Sequence, residues 1–370
     1  MENSIQLGRV MGIPIRLHVT FLLIIPWVAY LFGSVNATVF GKLYGFGAVE
    51  PPVIRWAYSL LFAVLLFVCV GLHELGHSYV AKRYGINIRS ITLYFFGGVA
   101  SMEEIPRNPS MELRMAIAGP AVSGALGVIS ILLYTQSESM LGVGHPFSIL
   151  LWTLGIMNII LMIFNLIPAF PMDGGRVLRA WFSTRMPYVV ATKNAAALGK
   201  IFAVFLIFLG LFTLNFLTLI IGIFLYIAAS EEDRSTTIAD SLRGIKVRHI
   251  MSNDVRVVPP EMTLAELMRL MFYEKHRGYP VMVGDSLVGI VTITDLQRVP
   301  EHLRETTRVG DVMTRNIYVI GPDDEATAAI KIMGDKKIRR LPVIEDGRLV
   351  GIISREDLLR AIELCSDVRL

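Results

Sequence analysis

The sequence predicts a polytopic α-helical membrane domain of about six transmembrane helices, followed by a water-soluble α/β domain made of a duplicated unit. Hydrophobic residues make up 54% of the 370 residues and charged residues only 18%, whereas soluble proteins carry about 25% charged residues. The deficit of charge lies almost entirely before residue 230. The remainder has ordinary soluble composition and repeats itself at a constant spacing, so the two parts belong to different structural classes.

Six segments are apolar over a length that can cross a bilayer, for which a helix needs about 20 mostly apolar residues. Asn215 alone interrupts the apolar run from Ile201 to Ala229, so a helical hairpin and one long buried helix are both open for the last two segments. The predicted spans are 17–34, 56–81, 112–134, 147–168, 193–212 and 214–230.

Basic residues are distributed unevenly between the loops that join these spans. They precede the first span, cluster between the second and third, and follow the fourth. The segment 135–146 holds none, and the other opposite loop holds Lys42 and Arg55. Because cytoplasmic loops carry an excess of lysine and arginine, this pattern predicts a multi-pass protein of the cell membrane with both termini in the cytoplasm. The net charge of +4 forms no basic stripe, so nucleic acid is not an expected partner.

The segment after residue 246 contains two copies of one unit at an offset of 62 residues, as between Met251 and Met313 and between Asp295 and Asp357. Each copy predicts the order helix, strand, strand, helix, because a stretch with helical spacing precedes two β-branched runs that are split by a short turn. Two copies indicate a pseudo-twofold pair rather than a solenoid. The predicted domains are a membrane domain at 1–230, a linker at 231–246, and repeats at 247–300 and 308–365.

The segment His73-Glu74-Leu75-Gly76-His77 ends an apolar run that begins at Trp56 and holds no charged residue. Helical residues four apart lie on one face, so both imidazoles can reach one metal, and Glu74 can act as general base on a water bound there. Chance matches to this short pattern are common in soluble proteins. A glutamate and two histidines at membrane depth are costly, however, and such groups usually serve a function.

A catalytic zinc ion takes three protein ligands and keeps a fourth position open, so a third ligand is required. Asp173 is the best candidate, because it follows an apolar span on a segment that Pro168 and Pro171 break and that Gly174-Gly175 allows to bend. A carboxylate on such a break can meet a metal from a neighbouring helix. The alternative is that Asp173 only caps a helix at the membrane edge.

The residues His73–His77 together with Asn165, Pro168 and Asp173-Gly174 resemble the site-2 protease family of intramembrane zinc metalloproteases. The resemblance extends to Gly12-Ile13-Pro14, Phe96-Gly97-Gly98-Val99 and Ala118-Gly119-Pro120, and covers most of residues 8–180. It implies one zinc ion bound by His73, His77 and Asp173, with Glu74 as general base and Asn165 holding the substrate or the oxyanion. Ser123 departs from the family pattern, since many members carry asparagine there.

The resemblance further implies hydrolysis of peptide bonds in or near the transmembrane segments of membrane-anchored proteins, within the lipid bilayer, as part of regulated intramembrane proteolysis. The segment Phe95–Met102 is short, rich in β-formers and broken by Gly97 and Gly98. It is a candidate edge for an unwound substrate that binds by strand addition. The alternative for this segment is a re-entrant or surface hairpin.

The duplicated unit resembles a pair of CBS (cystathionine β-synthase-type) domains through Gly289–Thr292 with Asp295 and Gly351–Ser354 with Asp357. The resemblance implies an adenine nucleotide in the cleft between repeats, with Thr292 and Ser354 at phosphate and Asp295 and Asp357 at the ribose hydroxyls. Hydroxyl groups can donate to phosphate, and carboxylates can accept from ribose. Many such pairs serve mainly as dimer modules, so a homodimer is the alternative role.

A second function class is a channel or transporter gated by the duplicated domain, since such domains also occur on transport proteins. In that case Glu74, the two histidines and Asp173 would line an ion path. The complete histidine–glutamate–histidine motif with a distant Asp-Gly argues against this reading, because transport needs no general base at that spacing.

Overall fold

The structure is a computed structural model that describes residues 4–94, 97–102 and 107–368. Phe95 and Phe96, which belong to the predicted Phe95–Met102 segment, lie outside the described residues. The chain divides into two compact units, Met1–Arg234 and Ser235–Leu370.

The first unit combines long helices with a small sheet. Its elements are β1 (Ser4–Val10), β2 (Ile13–His18), α1 (Phe21–Ser34), β3 (Ala37–Val39), β4 (Lys42–Tyr44), α2 (Pro52–Arg83), β5 (Ile88–Tyr94), β6 (Gly97–Met102), α3 (Pro109–Leu141), α4 (Pro146–Asn165), α5 (Asp173–Ser183), α6 (Tyr188–Phe212) and α7 (Phe216–Ser241).

Among the described residues, α2, α3, α4 and α6 are long and apolar enough to cross a membrane, which confirms a polytopic helical domain. Helix α1 has 14 residues, fewer than its predicted span, because strand β2 already occupies the chain up to His18. The apolar part of α7 ends at Ser230, where Glu231, Glu232 and Asp233 follow.

Helices α6 and α7 form two separate helices, which resolves the two alternatives for this region. Between them Leu214 takes a left-handed backbone conformation with φ +51°. Small residues bring the two helices together, since a Cβ on Gly210 would lie 2.5 Å from the amide nitrogen of Leu219. A Cβ on Gly222 would likewise lie 2.8 Å from the amide nitrogen of Ile207. Close approach at glycine is typical of helix pairs in membranes.

The sheet of the first unit has the strand order β1-β2-β5-β6. Strands β2 and β5 are parallel, and the other two pairs are antiparallel. Strand β6 therefore forms one edge of the sheet, with Gly98 paired to Leu93 on its inner side. The main apolar core joins α1, α2 and α4 through buried side chains that include Phe21, Phe32, Phe62 and Leu150.

The second unit contains the predicted helix–strand–strand–helix order twice. Its elements are α8 (Leu264–Glu274), β7 (Gly278–Val283), β8 (Ser286–Thr292), α9 (Ile293–Gln297), α10 (Val309–Val312), α11 (Ala326–Asp335), β9 (Arg340–Glu345), β10 (Arg348–Ser354) and α12 (Arg355–Val368), with 3₁₀ turns at Val247–His249 and Glu301–Leu303.

The two repeats interlock at a methionine and a glycine from each. A Cβ on Gly351 would lie 2.6 Å from the Sδ atom of Met251, and Gly289 has the same close contact with Met313. The first residues of each repeat thus pack against a strand of the other. These glycines leave room for the methionines, and the exchange holds the repeats together as a pair.

Candidate functional site

Two histidines and one aspartate converge inside the first unit. His73 and His77 lie on α2 and are 4% and 5% exposed, and Asp173 is the first residue of α5. The Oδ2 atom of Asp173 lies 3.3 Å from His73 Nε2 and 3.1 Å from His77 Nε2. The two Nε2 atoms are 3.2 Å apart. The three atoms thus form a compact triangle.

The outer nitrogens of the two rings are held by α3. His77 Nδ1 lies 2.7 Å from the carbonyl oxygen of Met115, and His73 Nδ1 lies 2.8 Å from Ser123 Oγ. A carbonyl oxygen only accepts, so we assign the proton of a neutral His77 to Nδ1, and its Nε2 then presents a lone pair to the triangle. Such outer partners orient the imidazoles that bind metals.

The triangle has the dimensions of a metal site. A tetrahedral zinc ion with bonds of about 2.0–2.1 Å separates its ligand atoms by about 3.3–3.4 Å. With both imidazoles neutral and protonated at Nδ1, the three atoms that face one another at 3.1–3.3 Å are all acceptors, and they repel unless a cation lies between them. Within the described residues, His73, His77 and Asp173 therefore form a group that could hold a metal.

Gly119 of α3 forms one wall of this group. A Cβ at this position would lie 2.2 Å from His77 Nε2 and 2.6 Å from His73 Nε2. The buried residues Glu112, Met115, Gly119 and Ser123 follow the spacing of one helix face. That face of α3 lies against both imidazoles, and only glycine leaves room for them at its centre.

The break between α4 and α5 places the carboxylate of Asp173. A Cβ on Gly174 would lie 2.2 Å from the carbonyl oxygen of Ile167, and a Cβ on Gly175 would lie 2.6 Å from the amide nitrogen of Phe170. The turn is therefore folded tightly on itself. Asp173 begins a helix, as the capping alternative expected, but its Oδ2 atom faces the imidazoles.

Glu74 lies against the edge strand β6. A Cβ on Gly98 would lie 2.3 Å from Glu74 Cγ, so the strand backbone passes directly beside the glutamate side chain. Gly97 is the next residue on this strand and pairs with Tyr94. Asn165 ends α4, where its Nδ2 donates to the carbonyl oxygen of Leu161 at 2.9 Å. Among the described residues, no hydrogen bond joins Asn165 to Glu74 or to the imidazoles.

The second unit holds a cavity of about 520 Å³, a volume in the range of small-molecule sites. Ser354 and Asp357 line it, whereas Thr292 and Asp295 are not among its lining residues. Its cationic lining residues are Arg256, Lys275, Arg277, Arg340 and Arg360.

Both predicted hydroxyl–carboxylate pairs have the same local geometry. Asp357 Oδ2 accepts from the amide nitrogen and the hydroxyl of Ser354 at 2.9 and 2.6 Å. Asp295 accepts from Thr292 at the same two distances. Each carboxylate thus caps the helix that follows its strand. The cavity, and not this local geometry, distinguishes the two pairs.

Arg340 breaks the symmetry between the repeats, because the residue 62 positions earlier is Gly278. Its Nη1 atom donates to the carbonyl oxygen of Gly278 at 2.7 Å, and a Cβ on Gly278 would lie 2.9 Å from that nitrogen. Burial lowers the pKa of Arg340, which means that its guanidinium is poorly solvated. An anion in the cavity would stabilise this cation.

Sequence reasoning missed the contribution of α3. The carbonyl oxygen of Met115 has no sequence signal, and Gly119 was only part of the motif Ala118-Gly119-Pro120. Ser123, the departure from the family pattern, provides the hydroxyl beside His73. Hydrophobic periodicity gives no signal for this face, because α3 carries apolar residues all round.

Both units match known protein families. The family model "Peptidase family M50" matches residues 61–209, and the CBS domain model matches residues 247–302 and 309–364. Zinc metalloprotease MJ0392 of Methanocaldococcus jannaschii is 39% identical over 364 residues, which cover 98% of this chain and 97% of that protein. Rip3 of Mycobacterium tuberculosis is 32% identical over 380 residues, with coverage of 98% and 94%.

A solved structure, the site-2 protease from Methanocaldococcus jannaschii, is 41% identical to this chain. It covers 62% of this chain and 95% of its own length, with a TM-score of 0.43. The relatives that match the whole length of the chain decide its classification. The chain belongs to the site-2 protease family of membrane-embedded zinc metalloproteases, Peptidase family M50, and carries a C-terminal pair of CBS domains.

Proposed function

We propose that this protease holds one zinc ion on His73, His77 and Asp173 and uses Glu74 as its general base. The convergence of two imidazole nitrogens and one carboxylate oxygen within 3.3 Å supports this assignment. The proposed substrates are membrane-anchored proteins, cut within or next to their transmembrane segments. These three residues lie among helices that can cross a membrane, which supports that substrate class.

When bound, zinc polarises the substrate carbonyl and lowers the pKa of a bound water. Glu74 accepts one proton from the attacking water, whose oxygen joins the carbonyl carbon. As the C–N bond breaks, Glu74 gives that proton to the departing amine nitrogen. Met115 and Ser123 keep the two imidazoles in the orientation in which Nε2 faces the reacting centre.

We infer that the substrate binds in an extended form along β6. A helical substrate keeps its carbonyls in its own hydrogen bonds, so it must unwind before water can attack. Strand β6 offers an edge for pairing, and Gly98 brings that edge against Glu74. Asn165 would bind the substrate or the oxyanion by exchanging its bond to Leu161. Substrate held on an inactive enzyme is then expected to crosslink to a photoreactive amino acid in place of Ser101.

The proposed orientation has both termini in the cytoplasm, which rests on the excess of basic residues in the loops on that side. The CBS pair then lies in the cytoplasm. Labelling of cysteines introduced at Lys42 and at Arg348, from either side of a sealed membrane, would distinguish this orientation from its inverse.

Zinc removal is expected to abolish cleavage of a generic single-span substrate by the purified full-length protein in detergent. Because the zinc ion polarises the carbonyl, the loss should reach the detection limit, and stoichiometric zinc should restore activity. Cleavage products and bound metal are measured on the same samples. Cleavage that survives complete zinc removal would refute the proposed site, and zinc-independent ion flux in liposomes would favour the channel alternative.

We propose that the CBS pair binds an adenine nucleotide in the cavity lined by Ser354 and Asp357 and that binding modulates the protease. The cationic side chains of Arg256, Arg277 and Arg340 suit the phosphates, and Asp357 suits the ribose hydroxyls. Thr292 and Asp295 do not line this cavity, so we place the proposed nucleotide at Ser354 and Asp357. The alternative role of the CBS pair is a homodimer interface.

The substitution Asp357→Ala is expected to weaken ATP binding at least about tenfold, because a charged hydrogen bond to the ligand contributes about 1.5–3 kcal/mol. The matched variant Asp295→Ala removes the same helix cap from the other repeat and should change the affinity less than about twofold. Isothermal titration of the full-length protein with ATP, ADP and AMP measures both. Equal losses in the two variants would contradict binding at one cavity, and a dimer that binds no nucleotide would favour the interface alternative.

A further inference from the structure

An ion cluster joins three helices near the candidate metal site, with Arg179 and Glu112 buried and Glu232 partly exposed. Arg179 on α5 is 7% exposed, and its Nε donates to Glu112 Oε1 of α3 at 2.6 Å. Its Nη1 donates to Glu232 Oε1 of α7 at 2.5 Å. Buried charges are costly unless they are paired, and removing one partner leaves an uncompensated charge. Arg179 therefore links α3, α5 and α7 through one side chain.

The guanidinium of Arg179 packs over two aromatic rings. Its central carbon lies 5.0 Å from the ring centroid of Phe170 and 5.0 Å from that of Tyr188. Phe170 is fully buried in the turn that leads to Asp173. Cations are attracted to aromatic ring faces at such distances. Arg179 thus contacts the turn before Asp173 as well as the helix that Asp173 begins.

The cluster is close to the metal-binding group along both α5 and α3. Arg179 lies six residues after Asp173, about 9 Å along the helix axis. Glu112 lies one turn before Met115, whose carbonyl oxygen accepts the hydrogen bond from His77 Nδ1. The pair Arg179–Glu112 therefore joins the helix that presents Asp173 to the helix that holds the imidazoles. A shift of α5 against α3 would move Oδ2 away from the two Nε2 atoms.

Helix α7 has two neighbouring carboxylates with different partners. Glu232 pairs with Arg179 of α5, whereas Asp233 pairs with Lys200 of α6 at 3.0 Å. Both pairs hold α7 in place, but only the Glu232 pair reaches the helix that begins at Asp173. The two residues therefore allow the effect on the metal site to be separated from the effect on helix packing.

We propose that Arg179 is a positioning residue for the metal centre. Through Glu112 and Phe170 it fixes Asp173 relative to His73 and His77, and through Glu232 it makes zinc affinity depend on the position of α7. This inference rests on the proposed assignment of the three zinc ligands.

The test compares Glu232→Gln with Asp233→Asn in the full-length protein. Glu232→Gln is expected to lower zinc affinity about threefold to tenfold, at or below the about 10- to 100-fold lost with a direct partner of a metal ligand, whereas Asp233→Asn should change it less than about twofold. Competition with a chelator measures affinity, and the absorption of the cobalt-substituted protein reports ligand geometry. Arg179→Met should lower affinity further, and Arg179→Lys should recover part of it, because lysine keeps the charge without the planar fork.

Thermal unfolding of the same variants separates positioning from packing. The positioning role would be overturned if Glu232→Gln and Arg179→Met kept the zinc affinity and cobalt spectrum of the wild type. Their melting temperatures would then be lowered only as in Asp233→Asn, which reports packing alone. A wild-type protein that binds no zinc would overturn the proposed site and this inference with it. A wild-type protein with zinc and an unchanged Glu232→Gln variant would overturn the inference alone.

Discussion

Replacing Glu74 by glutamine is expected to slow peptide cleavage about 10²–10⁴-fold while the protein keeps its zinc, because an amide cannot accept the proton of the attacking water. Glutamine has nearly the shape of glutamate, so the tight contact with Gly98 on β6 is retained. The three candidate ligand atoms belong to other residues and stay in place. Single-turnover cleavage and metal analysis of the same preparation measure the two quantities.

The unmodified protein and Asp173→Asn serve as the two references for this variant. Asp173→Asn is predicted to lose zinc as well as activity, since its Oδ2 atom is one corner of the ligand triangle. Cleavage by Glu74→Gln within about tenfold of the unmodified rate would place the general base elsewhere. Loss of zinc from Glu74→Gln would mean that this carboxylate supports the metal and not only the proton transfer.

Elements with a strong local signal could be predicted from the sequence. The helix–strand–strand–helix order of each repeat follows from periodicity, and the offset of 62 residues aligns the first helix, the two strands and the start of the last helix of one copy with those of the other. The helical spacing of His73 and His77 places both on one face of α2. The proline and glycine residues around Asp173 indicate the tight turn that the structure contains.

Contacts between distant segments could not be predicted in the same way. The parallel pairing of β2 with β5 joins segments that α1 and α2 separate, and it brings β6 beside Glu74. Membrane helices carry hydrophobic residues on all of their faces, so hydrophobic periodicity does not identify the face of α3 that meets the imidazoles. Arg179 and Glu112 lie 67 residues apart, and their pairing depends on how α3 packs against α5.

The length of α1 shows the same limit at shorter range. By composition alone the first apolar run begins at Leu17. In the structure Leu17 pairs with β5 as part of strand β2, and helix α1 begins only at Phe21. The asymmetry of the CBS repeats is visible in the sequence as glycine against arginine at 278 and 340. Its consequence, a guanidinium of one repeat that bonds the backbone of the other, requires the folded arrangement.

Replacing Gly119 by alanine is expected to lower zinc affinity about a hundredfold, the upper end of the losses that changes around metal ligands cause, and to abolish cleavage, although no ligand is removed. The added Cβ would lie 2.2 Å from His77 Nε2 and 2.6 Å from His73 Nε2, where no carbon atom fits. The imidazoles cannot move away without breaking the hydrogen bonds of their Nδ1 atoms to Met115 and Ser123 of α3. Chelator competition and cleavage of the single-span substrate measure the two losses.

Gly124→Ala is the matched control, because it adds the same methyl group to the same helix away from the imidazoles. Its Cβ would meet only the flexible side chain of Met162, at 2.6 Å from Sδ, and that thioether can move aside. Zinc affinity and cleavage should therefore stay within about twofold of the unmodified protein. Full zinc affinity in Gly119→Ala would show that zinc binds away from the Nε2 triangle, whereas equal losses in both variants would show that α3 tolerates no added methyl group.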